Sequence, residues 1–200
     1  MDIATSSAGT YTQQYQYRSF SPAPINVNWT WSDRKTHLLL EQANLKLDKL
    51  NAFSLHVPDV DIFIQMHVVK EATTSSRIEG TRTEVEGSLL KKKDIDPEKR
   101  DDWREVQNYI RATTYAIKRL KDVPLSTRLL KEAHAILMKG VRGKGKQPGE
   151  YRRNQNWIGG ATLNDVIFIP PHNDQVPKLM GDLENFLHNE AIEVPALVRI

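Results

Sequence analysis

The chain has 200 residues, enough for one large or two small domains with a real apolar core, and its 39% hydrophobic and 26% charged residues are the balance of an ordinary soluble globular protein. The formal net charge of +3 is too small to argue for a nucleic-acid partner, and the lack of cysteine excludes disulfides and thiolate chemistry and leaves six histidines without the usual zinc company. No apolar run approaches membrane-spanning length, and Met1-Asp2-Ile3-Ala4-Thr5 lacks the basic and apolar regions of a secretory signal, so the expected setting is cytoplasmic, with no membrane partner.

Residues 1–28 are polar, with Tyr11, Tyr15, Tyr17 and Phe20 followed by Ser21-Pro22-Ala23-Pro24. Alternate prolines keep such a segment extended, so the spacing predicts an arm lying on the body through its aromatics. Thr30-x-x-Asp33 resembles a capping box and opens a helix with Leu38, Leu39, Ala43, Leu47 and Leu50 on one face, ended by Asn51. That face is expected to pack on a second helix, entered through Asp59 and Asp61 and carrying Val60, Phe63, Ile64, Met66, Val68 and Ala72, in an antiparallel pair. Gly80 stops the second helix. A short segment to Leu90 follows, weakened by Gly87, and then Lys91-Lys92-Lys93, a solvated charge run.

Trp103, Val106, Tyr109, Ile110, Thr113, Ala116, Ile117 and Leu120 mark a core helix over 101–120. Ser126 caps the next helix, whose face holds Leu129, Leu130, Ala133, His134, Leu137 and Met138 before Gly140. His134 lies inside an apolar stripe with no carboxylate or second histidine at ligand spacing, which favours a satisfied core histidine over a catalytic one. The following loop has Gly140, four residues, then Gly145-Lys146. It is not a phosphate loop: Gln147 stands where a magnesium-binding hydroxyl is needed, a helix precedes it, and Pro148-Gly149 replaces the helix that should follow. Its basic residues, Lys139, Arg142, Lys144, Lys146, Arg152 and Arg153, leave weak binding to an anionic surface as a minor reading. Asn164-Asp165 between apolar ends, Trp157-Ile158 before and Val166-Ile167-Phe168-Ile169 after, reads as a small β-hairpin, the only strand-like signal in the chain. A last helix starts at Asn173 or Asp174 and carries Val176, Leu179, Met180, Leu183, Phe186 and Leu187.

The residues that organise this reading are Ser75-Ser76-Arg77-Ile78-Glu79-Gly80 at the end of the second helix. Ser75 and Glu79 share a face, so the hydroxyl can hold the carboxylate. An anion in the last helical turn meets the negative pole and costs about 0.3–1 kcal/mol, and Arg77, two residues away, points elsewhere. From spacing alone a solvated terminal glutamate satisfies the pattern, and so does one that meets a cation from another part of the chain.

The Ser75-x-x-x-Glu79-Gly80 stretch resembles the (Ser/Thr)-x-x-x-Glu-(Gly/Asn) inhibitory motif of the Fic family. A second, independent likeness lies in Gly149-Glu150-Tyr151-Arg152, Asn156-Trp157-Ile158-Gly159-Gly160 and Phe168-Ile169-Pro170-Pro171-His172, which resemble that family's core up to the hairpin called the flap. Together they cover roughly residues 30–200. The likeness implies an all-α fold, a helical bundle with a small β-hairpin as the flap, divided into an extended arm (1–28), an N-terminal helical region with the inhibitory helix (29–95) and the first part of the core (96–200).

It also implies transfer of AMP from ATP, with Mg2+, to a Ser, Thr or Tyr hydroxyl of a target protein. In that picture Ser75, Glu79 and Gly80 are regulatory. Glu79 lies beside the ATP γ-phosphate, paired with an arginine, and holds the nucleotide unproductively. The flap residues Gly160, Ala161, Thr162, Leu163, Val166, Ile167, Phe168 and Ile169 grip the target backbone. The family signature, His-x-Phe-x-(Asp/Glu)-Gly-Asn-Gly-Arg-x-x-Arg, is absent from these 200 residues, so none of them is assigned a catalytic or metal-binding role, and the expectation is a chain that ends short of its active site. The competing class is a non-catalytic helical module that binds a peptide or regulates a partner. The oligomeric state, homo-oligomer included, and the target stay open.

Overall fold

A computed structural model describes residues 1–3, 5–78, 80–140, 147–160 and 165–200. Helices dominate these residues, accompanied by one small antiparallel hairpin. The chain forms two compact units, residues 50–150 and residues 1–49 with 151–200.

In the 50–150 unit, α2 (Val60–Ile78) packs against α3 (Val85–Leu89) and α4 (Arg100–Arg119), and α4 packs against α5 (Thr127–Leu137). The start of α2 is held by Asp59, whose carboxylate accepts from the Ile62 N–H at 2.9 Å. Val69, Ala72, Thr73 and Ser76 form its buried stripe, at the i, i+3, i+4, i+7 spacing of one helical face. Opposite them α4 buries Val106, Asn108 and Ala112. Its first turn carries Asp101 and Asp102 and its last Lys118 and Arg119, the order that complements the helix dipole. Ser126 caps α5 by accepting from the Leu129 N–H and Leu129 is almost wholly buried.

The far end of α5 depends on a polar residue of α4. Asn108, 3% exposed, donates through Nδ2 to the Leu137 and Lys139 carbonyls at 3.2 and 2.8 Å. Those carbonyls belong to the terminal turn, where no intrahelical N–H reaches them. A second α4–α5 tie is Glu132, which accepts from the Tyr115 hydroxyl at 2.9 Å and from Arg128 Nε at 2.9 Å. The Arg128 hydrogen bond, then the Tyr115 one, holds the Glu132 carboxyl below its usual pKa.

The other unit contains β1 (Gly9–Gln13), β2 (Arg18–Pro22), α6 (Val176–His188) and α7 (Ala196–Arg199). β1 and β2 pair antiparallel with Tyr11 opposite Phe20. The rings of that pair lie 5.5 Å apart, edge to face, and the Arg18 guanidinium sits 5.7 Å above the Tyr11 ring. The arm expected to run extended is therefore a hairpin, closed where the Gln14 N–H donates to the Tyr17 carbonyl at 2.7 Å. It continues to α6: the Ile25 N–H donates to Asp182 at 2.7 Å, and Asn189 Nδ2 donates to Asn26 Oδ1 at 2.9 Å. Arg199 caps the end of α6, donating to the Phe186 and Asn189 carbonyls at 2.7 and 2.9 Å.

Two expectations for the first helix need correction. α1 (Arg34–Ser54) does not end at Asn51, and its N-terminal cap is Asp33 alone, which accepts from the Thr36 N–H at 2.8 Å and from its hydroxyl at 2.7 Å. No residue of α1 is buried. Leu38, Leu39, Leu47 and Leu50 are exposed.

Candidate functional site

The end of α2 carries the first candidate. Gly80 has φ +96°, its N–H donates to the Arg77 carbonyl at 3.0 Å, and the Thr81 N–H donates to the Ser76 carbonyl at 3.0 Å. These nested bonds are the Schellman arrangement that terminates a helix on a left-handed residue. A Cβ added at Gly80 meets nothing within 4 Å, so glycine is required here by backbone conformation and not by space. Beyond it the Arg82 N–H donates to Asp102 at 2.9 Å, which ties the exit of α2 to the start of α4. Glu79, the central residue of the sequence reading, lies outside the described residues.

The Ser75 hydroxyl donates to Glu71 Oε1 at 2.6 Å, one turn back, while its expected pairing with Glu79 falls outside the described residues. A serine hydroxyl has a single proton, so this bond uses its only donor. Glu71 was missed, although a serine four residues after a glutamate is a readable signal for this pair.

The second candidate is the segment of residues 157–169. Gly159 and Gly160 take φ +75° and +70°, and a Cβ at Gly160 would lie 2.4 Å from the Asp165 carbonyl oxygen, so the turn accepts only glycine there. Ile158 and Phe168 then form one antiparallel bridge: the Ile158 N–H donates to the Phe168 carbonyl at 2.8 Å and the Phe168 N–H returns to Ile158 at 3.2 Å. Among the described residues this is a single bridge, not the ladder expected of a hairpin. Among the described residues the two-stranded ladder is β1–β2. Ala161, Thr162 and Leu163 lie outside the described residues. Val166 and Phe168 are half-buried and Ile167 is 83% exposed, as in a strand, but Ile169, on the same side as Ile167, is buried, so the alternation breaks there.

Two side chains that spacing could not single out fasten the base of this segment. Arg152 donates to the Asn154 carbonyl at 3.0 Å and to the Pro171 carbonyl, bringing the incoming and outgoing chain together. Its partial burial lowers the guanidinium pKa, and the nearby Tyr17 phenol opposes that shift. Gln155 Nε2 bonds the Asn156 and Pro170 carbonyls at 3.0 and 3.1 Å.

The remaining sequence candidates behave as structural groups. His134 Nδ1 accepts the Gly149 N–H at 3.0 Å, the satisfied core histidine the stripe implied. The loop residues Arg142, Lys144 and Lys146 lie outside the described residues, and a helix, α5, does precede that loop. No group of three or more His, Asp or Glu side chains among the described residues is placed to hold a metal ion. Among the same residues no helix is long and apolar enough to cross a membrane.

Residues 37–118, from the first turns of α1 through nearly all of α4, match the family model described as Fic/DOC family N-terminal. No curated protein matches the chain. The match contains the whole of α2 and its glycine stop, the stretch that carries the Ser75-x-x-x-Glu79-Gly80 pattern, so over residues 37–118 the chain is similar to the N-terminal region of Fic/DOC-family proteins.

Proposed function

We propose that these residues are the regulatory and target-gripping part of a protein adenylyltransferase, which moves AMP from ATP to a side-chain hydroxyl of a target protein. The observation that carries the reading is the end of α2, where a Ser-x-x-x-Glu-Gly pattern inside the family match is stopped by a Schellman turn at Gly80. In this reading Glu79 acts from there as the brake, pairing with an arginine supplied by the catalytic signature and holding the ATP γ-phosphate away from the transfer geometry. Ser75 acts through Glu71, by ordering the last exposed turns of the helix.

The 157–169 segment is the flap in this reading. An extended target backbone adds to it by main-chain hydrogen bonds, which hold the acceptor hydroxyl in register whatever the target's side chains. The 200 residues contain neither the catalytic signature nor, in the described part, a magnesium ligand set. No chemical step is assigned to the side chains named above.

The test is isotope transfer by the full-length protein. Label from α-phosphate-labelled ATP should appear on a protein target, and label from the γ-phosphate should not. Transfer of the γ-label alone would mean phosphorylation, and transfer of neither would leave a non-catalytic binding module.

A further inference from the structure

Phe168 uses both its N–H and its C=O on Ile158, whose carbonyl also accepts from the Ile167 N–H at 2.9 Å, and the Ile169 carbonyl faces the opposite edge. That edge is occupied. The Phe20 N–H of β2 donates to the Ile169 carbonyl at 2.8 Å, and the Phe20 and Phe168 rings lie 5.8 Å apart. Phe20 can do this because its N–H points away from β1, in the pair Tyr11–Phe20. Its main chain thus joins the 167–169 arm while its neighbours hold the β1–β2 ladder.

We infer that β2 is a fixed third strand of the flap and that Phe20 is a positioning residue for target binding. It sets the register of the 167–169 arm and closes that arm's outer edge. The edge left for an incoming extended peptide is then the 157–159 arm, where Trp157, Ile158 and Gly159 are all exposed. The partner that fits is an extended segment presenting an apolar side chain to Ile158, which is 62% exposed. The role of Phe20 in target binding rests on the adenylyltransferase reading, whereas its hold on the flap does not.

The experiment has two arms. Phe20→Pro removes the one N–H that reaches Ile169 and none of the β1–β2 bonds, and Phe20→Leu keeps the donor and an apolar side chain. In the 200-residue chain, amide exchange at Ile167 and Phe168 should rise about threefold to tenfold in the proline variant, the loss expected for one hydrogen bond, with α6 amides unchanged and the leucine variant close to wild type. Unchanged exchange at these two amides overturns the proposal. So does a Phe20 amide that exchanges freely in the wild type, a measurement that stands even if the proline variant fails to fold. In the full-length enzyme Phe20→Pro should raise KM for the target protein several-fold with KM for ATP unchanged, and Phe20→Leu should restore it. Equal KM values in both variants and wild type overturn the positioning role. A full-length protein that transfers no AMP defeats the adenylyltransferase reading and leaves the exchange result to decide the rest.

Discussion

Replacement of Gly80 separates backbone conformation from packing at the end of α2. An alanine there must adopt φ near +96° yet touches nothing within 4 Å, so the whole effect is conformational. Holding a non-glycine residue in the left-handed region costs about 1–2 kcal/mol, and the reduced freedom of the unfolded chain returns about 0.4–1 kcal/mol of it. The net loss for Gly80→Ala is therefore about 1 kcal/mol. Asparagine tolerates the left-handed region, so Gly80→Asn should lose about half as much or less. Urea unfolding of the 200-residue chain is the assay, read as a shift in midpoint at constant slope. An alanine variant as stable as the wild type, or an asparagine variant as damaged as the alanine one, would refute the argument that the Schellman turn fixes this helix end.

Asn108→Leu keeps the volume of a buried side chain and removes both of its donors, leaving the Leu137 and Lys139 carbonyls without them. The expected loss is about 1–3 kcal/mol in urea unfolding, with protection lost first in the last turn of α5. The Glu132 carboxyl is held below its usual pKa by Arg128 and Tyr115, so its contribution is present above the unfolded value of 4.5 and is lost as pH falls through the lower folded value. Between pH 5 and 3 the wild type should therefore lose more stability than Glu132→Gln, and parallel acid limbs in the two proteins would count against the ion cluster.

The legible parts of the fold were those with chemical punctuation. Asp59, Gly80 and Ser126 are capping residues in sequence and in structure, and the helices they bound fall close to the expected ranges. The hairpin at residues 9–22 was illegible because its turn, Gln14-Tyr15-Gln16-Tyr17, has none of the Gly, Asn or Pro residues that advertise a reversal, and because Pro22 and Pro24 pointed to a plain extended arm. Its strand signal was the alternation Thr10, Tyr11, Thr12 against Ser19, Phe20, Ser21, which is short and polar on one side. Along α1, periodicity marks an apolar face without naming what it packs on. At the site, the Gly80 stop was readable from its position, and the rest depended on partners distant in sequence. Phe20 reaches Ile169 and Arg152 reaches Pro171, pairings that no local pattern encodes. The Ser75 bond to Glu71 was local, but two acids stood at equal spacing on either side of the serine, and spacing cannot choose between them.

The measurement that bears most directly on the proposed brake is AMP transfer by the full-length protein with Glu79→Gly beside the wild type, under equal ATP and target. Removal of the carboxylate should raise transfer well above the wild-type level while the variant remains folded by circular dichroism. Transfer that stays the same or falls in a folded Glu79→Gly protein would contradict the inhibitory role assigned to the end of α2.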